Sequence, residues 1–360
     1  MSDKASSKKK LPTMRDVAKE ADVSLNAVSL AVNDKPGVGA GTRSRIFEVI
    51  DRLGYQPQSG SRALQGTKKG CVGIIQSAPP DVLPATNRFL NWLFGEMCRI
   101  FGARGERLCF DINPQADSSQ GDYARCVWEN LMSACVVLGP LNGNDTTLRR
   151  IHESGIPYLA LGRLDSFPEC SSAAVDYEEG AYMSTKFLLD RGHRSIAMLG
   201  GFTGYQPGID RRRGYLRALE EAGIKPLDSL FQAGSFTVAR NTSIVHRLMV
   251  PPEVTALVDA SGLENAESLR DGARRAGKQL GKDVEAVVWT YSPAATVLSE
   301  AAAHLFLPVR EVCSEGTEWL YDWYRGERVG PVSLVYNPVL YETMPDPAMT
   351  DLQRLFAGAE

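Results

Sequence analysis

Thr13-Met-Arg-Asp-Val-Ala-Lys-Glu-Ala-Asp-Val-Ser24, continued by Leu25-Asn-Ala-Val-Ser-Leu-Ala-Val32, carries a pattern from which the rest of the chain can be read outward. Met14, Val17, Ala18 and Ala21 fall at i, i+3, i+4 and i+7, one face of a helix. Thr13 stands where a helix needs a cap, with Asp16 three residues on, a variant of the capping box. Asp22-Val23 leaves room for a tight turn only. Ser24 then caps a second helix, whose inner face is Val28, Ala31 and Val32. The breakers Asn33-Asp34-Lys35-Pro36-Gly37 precede a third helix with the same spacing at Ile46, Val49, Ile50 and Leu53, ended by Gly54. Three short helices, the first two joined tightly, are a helix-turn-helix pattern. Val17, Ala18 and Val28 are small enough to let the helices cross closely. Leu25, Asn26 and Ser29 lie on the outer face of the second helix, where Asn suits a bidentate pair with adenine and Leu suits a thymine methyl. A helical bundle without a ligand would share the inner pattern. Gly37-Val-Gly39-Ala-Gly41 imitates part of a phosphate-binding fingerprint, but no buried strand precedes it, and it reads as the loop into the third helix.

The chain has 360 residues, a length for two or three domains. With 43% hydrophobic and 23% charged residues, it has an ordinary globular composition. No apolar run approaches the roughly 18–20 residues of a membrane span, and Met1 to Lys10 has no apolar stretch behind its charges, so a cytoplasmic location and no membrane partner are expected. Residues 1–69 hold 13 Lys/Arg against 7 Asp/Glu, while the whole chain has a net charge of −3. A basic head on an acidic body suits a polyanion at one end only. The seven cysteines, at 71, 98, 109, 126, 135, 170 and 313, show no Cys-x-x-Cys spacing, and reduced, buried thiols are expected. No metal, cofactor or catalytic constellation is expected.

Beyond residue 70 short apolar runs recur: Val72–Ile75, Leu108–Phe110, Cys135–Leu138, Tyr158–Leu161, Ile196–Leu199, Ala256–Val258, Ala286–Trp289 and Val332–Tyr336. Helical stretches lie between them, such as Glu178–Arg191 closed by Gly192 and Asp210–Ala222 closed by Gly223. Strands alternating with helices predict an α/β body of parallel, doubly wound sheets, which bind ligands beyond the carboxyl ends of their strands. His193, in an Arg-Gly-His-Arg turn before a buried strand, reads as a structural turn residue and not a catalytic base.

Thr13 to Ser24, Ala27-Val28-Ser29, Asn33, Thr42-Arg43 and Leu53-Gly54-Tyr55-Gln-Pro57 together resemble the headpiece of the LacI/GalR transcriptional regulators, nearly without gaps from about residue 12 to 76. The resemblance implies a disordered tail at 1–11, a DNA-binding headpiece at 12–57, and a hinge at 58–69. Thr13, Ser24, Leu25, Asn26, Ala27, Ser29, Asn33 and Tyr55 would face DNA. Ser61 and Leu64 of the hinge would enter the minor groove, Leu64 as an apolar wedge that kinks the site. Gly60 lowers helix propensity there, so hinge folding should depend on DNA and on the dimer. Leu30 and Gly39 stand where the family usually has Arg and Ser, so the usual operator is not implied at the first of these.

The likeness continues through Ile156-Pro157, Gly162-Arg163, Asp176, Gly180, Arg191-Gly-His193-Arg194, Gly200 and Arg211-x-x-Gly214-Tyr215. It implies a two-lobed core at 70–360, similar to periplasmic sugar-binding proteins, that holds a carbohydrate-related effector between its lobes and forms a homodimer on double-stranded operator DNA. The first lobe would hold about 70–163 and 293–330, and the second about 164–292 and 331–360, with crossovers near 162–165, 292–310 and 328–335. Asn87, Phe89, Arg211, Asp259, Trp289 and Tyr291 would line the effector site, and Arg163, at a crossover, would either line it or tie the lobes together. Trp289-Thr290-Tyr291 stands where the family has Gly-aromatic-Asp, so a carboxylate is lost and aromatics are gained. Either a different effector is bound, or the aromatics fill the cleft and the protein acts without one. A periplasmic solute-binding protein would need an export signal and would lack residues 12–65; an enzyme on this fold would need a catalytic constellation.

Overall fold

A computed structural model describes residues 12–32, 35–53, 55, 71–76, 88–112, 122–129, 131–139, 141–201, 204–235, 237–261, 266–291 and 298–342, with the side chains of 88–93 and 112 excepted. The chain divides into two compact units, Met1–Lys69 and Gly70–Glu360.

The first unit holds α1 (Met14–Glu20), α2 (Leu25–Val32) and α3 (Ala40–Leu53). The capping box forms: Thr13 Oγ1 accepts from the Asp16 N–H at 3.4 Å, and Asp16 Oδ2 accepts from the Thr13 N–H at 2.7 Å. Asp22 takes a left-handed φ of 49°, which turns the chain sharply toward Ser24. Ser24 Oγ accepts from the Ala27 N–H at 3.1 Å, as a cap should. Val17, Ala18, Ala21, Val28, Ala31, Ile46, Val49 and Ile50 form the core. Arg43 fastens α3 to the end of α2, donating to the Ala31 carbonyl at 3.1 Å and the Lys35 carbonyl at 2.7 Å. It satisfies carbonyls that a helix terminus leaves open.

The second unit holds two six-stranded sheets. In chain order the strands are β1 (Cys71–Gln76), β2 (Leu108–Ile112), β3 (Met132–Leu138), β4 (Tyr158–Leu161), β5 (Ser172–Val175), β6 (Ile196–Leu199), β7 (Phe231–Gln232), β8 (Ala256–Asp259), β9 (Glu285–Thr290), β10 (Ala303–Phe306), β11 (Ser333–Tyr336) and β12 (Val339–Tyr341). The first sheet runs β11-β5-β4-β3-β1-β2 and is parallel throughout. The second runs β12-β10-β9-β8-β6-β7 and is parallel except for β12, which joins β10 antiparallel. The helices are α4 (Arg88–Ala103), α5 (Arg125–Trp128), α6 (Thr146–Glu153), α7 (Tyr177–Asp190), α8 (Gln206–Glu221), α9 (Val238–Met249), α10 (Ala266–Arg275) and α11 (Val309–Arg325). Alternate residues of the second sheet face opposite layers. Met198, Val258 and Val287 pack with Leu188 of α7 and Tyr215 of α8, whereas Ala197, Leu257 and Val288 pack with Val245 of α9 and Leu269 of α10. This is the doubly wound arrangement.

Two expectations about the body need correction. The chain passes between sheets at Asp176, at Leu307-Pro308 and at Asn337-Pro338, later than the expected 162–165 and 328–335 and inside the expected 292–310 window. Segments 164–175 and 331–336 therefore serve the first lobe, and 298–306 leads into β10 of the second. Ser172-Ala-Ala-Val175 is short and made of small residues with little strand propensity of their own. It becomes a strand because β4 and β11 flank it. The helix expected from Asp210 starts at Gln206, because Pro207 falls in the first turn, where its missing N–H costs nothing.

Candidate functional site

The outward face of the helix-turn-helix is built on the two caps. Thr13, Ser24, Leu25 and Asn26 are exposed, Leu25 by 44%, while Ala27 and Ser29 are half-buried beside the core residue Val28. An apolar side chain and an amide thus project together from the first turn of α2, the turn that Ser24 rigidifies. Leu30 lies against the loop after α2: a Cβ on Gly37, whose φ is +116°, would sit 3.2 Å from its Cδ1. Tyr55, expected to face DNA, is 7% exposed and packs into the headpiece core, its N–H donating to the Ile50 carbonyl at 3.0 Å. The ring closes the core under the end of α3, and that burial corrects the expectation. Asn33, Ser61 and Leu64 lie outside the described residues, as does the hinge.

The second lobe carries an arginine with unusual surroundings. Arg211, in the second turn of α8, is 7% exposed. Its guanidinium carbon lies 4.6 Å from the Tyr177 ring centroid and 5.1 Å from that of Trp289. Those rings are themselves stacked, 6.1 Å apart and inclined by 9°. Arg211 makes no hydrogen bond or ion pair with any described residue, and its buried Nε has no partner. Burial pushes its pKa down, and the charges of Tyr177, Asp210 and Asp259 oppose that shift. Gly201, at φ +83°, is needed beside it, since a Cβ there would collide with Nη1. Asp259 ends β8 at 3% exposure and accepts from the Ser261 N–H at 3.0 Å. Burial pushes its carboxyl up, against the hydrogen bonds of Ser261 and the Arg211 charge. A buried cation without an acceptor and a carboxylate near it can together bind a hydroxyl-rich or charged ligand.

Trp289 is 1% exposed, and its Nε1 donates to Ser184 Oγ at 3.0 Å inside the lobe. Its faces are taken by Tyr177 and Arg211, so it supports the arginine from below and presents no free ring to a ligand. Tyr291 is likewise buried, at 2%. Of the two roles open to Arg163, the structure has the tie between the lobes: it bridges Asp165 at 2.8 Å and Asp210 of α8 at 3.2 Å. Asn87 and the side chain of Phe89 lie outside the described residues.

Sequence reading passed over two residues. Gln76 ends β1 at 1% exposure, and neither of its amide atoms has a hydrogen-bond partner among the described residues. The available signal was a lone polar residue closing the apolar run Val72–Ile75 at the carboxyl end of a parallel strand, the ligand side of such sheets. Asp210 is buried at 1%, holding Gln206, Arg213 and Arg163. His193 pairs with Thr255 Oγ1 at 2.8 Å and Glu285 at 3.3 Å, joining the starts of three strands in a structural role. Among the described residues no group of three or more His, Cys, Asp or Glu could hold a metal ion, and no helix is long and apolar enough to cross a membrane.

Comparison with known proteins places both units. Residues 13–58 match the family described as bacterial regulatory proteins, lacI family, and residues 185–340 match the periplasmic binding protein-like domain. Catabolite control protein A of Priestia megaterium is 26% identical over 322 residues, covering 88% of this chain and 94% of that protein. The transcriptional regulator RafR of Escherichia coli is 27% identical over 337 residues, covering 91% and 97%. Among solved structures, a lac repressor dimer bound to operator and an anti-inducer superposes with a TM-score of 0.73 at 18% identity, covering 93% of this chain and 99% of that one. A complex of the transcriptional regulator CelR with cellobiose gives 0.64 at 24%, covering 92% and 98%. Helix-turn-helix headpiece and two-lobed body match in the same order along the chain: a lacI-family helix-turn-helix domain precedes a periplasmic binding protein-like domain, and the homologues are lacI-family regulators.

Proposed function

We propose that the chain is a sequence-specific, DNA-binding transcriptional repressor of the bacterial cytoplasm, acting at the nucleoid. Two copies would bind a near-palindromic operator with their headpieces about one helical turn, roughly 34 Å, apart. The observation that carries this is the exposure of Leu25 and Asn26 on the turn capped by Ser24, over a core that leaves them no internal task. Selection from random duplex DNA tests it. Enrichment of a two-fold sequence, with binding that weakens steeply as salt rises, is the expected outcome; recovery of random sequence would refute it.

The interlobe cleft would take a carbohydrate-related effector, with Arg211 and Asp259 as its polar anchors. The buried Arg211 Nε, which has no hydrogen-bond partner among the described residues, supports this, as does the cellobiose held by CelR. Effector binding would change operator affinity by about 1–3 kcal/mol of coupling. A second reading, a regulator that acts without a sugar, draws on the stacking of Tyr177, Trp289 and Arg211, which fills part of this lobe. A thermal-shift screen of the full chain against sugars, sugar acids and sugar phosphates separates the two, since a ligand at 100 times its Kd adds about 2.7 kcal/mol. No shift with any of them would favour the second.

A further inference from the structure

The same helix that presents Arg211 is anchored to the opposite lobe by its neighbours. Arg163 and Asp165 follow β4 of the first lobe, whereas Gln206, Asp210 and Arg213 belong to α8 of the second. Arg163 Nη2 lies 3.2 Å from Asp210 Oδ2, and Arg213 Nη1 donates to Asp165 Oδ2. Two backbone donors cross the same boundary: the Gln206 N–H donates to the Leu141 carbonyl at 2.9 Å, and the Asp165 N–H to Gln206 Oε1 at 3.3 Å. Asn142 Nδ2 donates to the Gly204 carbonyl at 2.8 Å.

The division of labour at Asp210 is informative. Its two bonds from its own helix, Gln206 Nε2 at 2.8 Å and Arg213 Nη2 at 2.7 Å, both go to Oδ1. Oδ2 is left to Arg163 of the other lobe. A carboxylate at 1% exposure needs a charge-bearing partner, and half of this one is met only when the lobes are together. Because Asp210 precedes Arg211 in sequence, whatever fixes the first fixes the second.

We propose that Arg163 and Asp210 are positioning residues: a clasp that keeps the two lobes closed at rest and presents Arg211 to the cleft already oriented. This builds on the reading of the cleft as a ligand site, but the clasp itself stands without it. The consequence is that an effector meets a preformed pocket, and must loosen the clasp to open the lobes.

Amide hydrogen exchange of the full chain, read by mass spectrometry without ligand or DNA, tests the proposal. The Gln206 and Asp165 amides report lobe closure directly. In Arg163→Ala and Asp210→Asn, exchange over 204–208 and 163–167 should accelerate by about tenfold or more, while the core strand Ile196–Leu199 keeps its protection. Arg163→Lys, which keeps the charge, should recover part of the protection, an outcome that a purely steric role would not give. Should Asp210→Asn lose core protection as well, Asp165→Asn on the surface side repeats the test. Unchanged exchange at both reporter segments in Arg163→Ala and Asp165→Asn would overturn the clasp. Since no ligand is present, that result would leave the effector reading as it stood.

Discussion

At the scale of single residues, several side chains have one fate in sequence and another in structure. Tyr55 and Trp289 are aromatic residues at family positions, and a sequence gives no means of telling an aromatic that faces a ligand from one that completes a core. Both are buried here. Tyr55→Ala should therefore cost about 3–5 kcal/mol, the range for large aromatic truncation, and unfold the headpiece in a circular-dichroism melt. Asn26→Ala should leave that melt unchanged and shift base preference at one position in each half-site, as read by selection. Trp289→Ala should likewise cost about 3–5 kcal/mol. Trp289→Phe should cost less, losing the Ser184 hydrogen bond but keeping a ring under Arg211. Arg211 was singled out by the resemblance alone, and its burial beside Tyr177 and Trp289 was not in the sequence; Gln76 was not singled out, since one amide after four apolar residues looks like any strand end. Arg211→Ala should preserve operator binding and abolish the response to whichever compound the thermal-shift screen identifies, measured by fluorescence anisotropy.

At the scale of elements, caps and apolar spacing carried most of what the sequence disclosed. Thr13 with Asp16, and Ser24 with the N–H three residues on, act as their spacing suggests. Ser24→Ala should lower headpiece stability by about 1 kcal/mol. Two of the strands that went unread, Ser172–Val175 and Ala303–Phe306, owe their conformation to neighbours distant in sequence, information that local propensity does not contain. Helix packing has a similar hidden requirement. A Cβ on Gly214 of α8 would run into the Glu178 carbonyl of α7, so Gly214→Val should force the helices apart, with a loss of about 1–3 kcal/mol in urea unfolding. Arg270 of α10 grips Glu300 through both oxygens, at 2.7 and 2.8 Å, and holds that carboxyl down at about 2. The lowered pKa means stability that is present above the ordinary carboxylate range and lost as pH falls toward 2. With Glu300 about one-third exposed, the gain is no more than about 1 kcal/mol, and Glu300→Gln should flatten that part of the acid titration of the melting temperature.

At the scale of the whole molecule, the division into a basic headpiece and an acidic two-sheet body was already visible in charge and in the alternation of apolar runs. The exact points where the chain changes sheets were not, because they depend on which lobe adopts each edge strand. That arrangement bears on biosynthesis. β11 completes the first sheet and β12 the second, separated only by Asn337 and Pro338. As the polypeptide leaves the ribosome, α1, α2 and α3 have emerged by Leu53, whereas neither sheet of the body is complete until residues 333–341 have followed. A nonsense codon between residues 326 and 332 would thus release a chain with the headpiece helices intact but with β5 and β10 lacking their edge partners. Such a fragment would be a target for proteolysis or strand-to-strand association, so β11 and β12 guard the quality of the sheets that precede them.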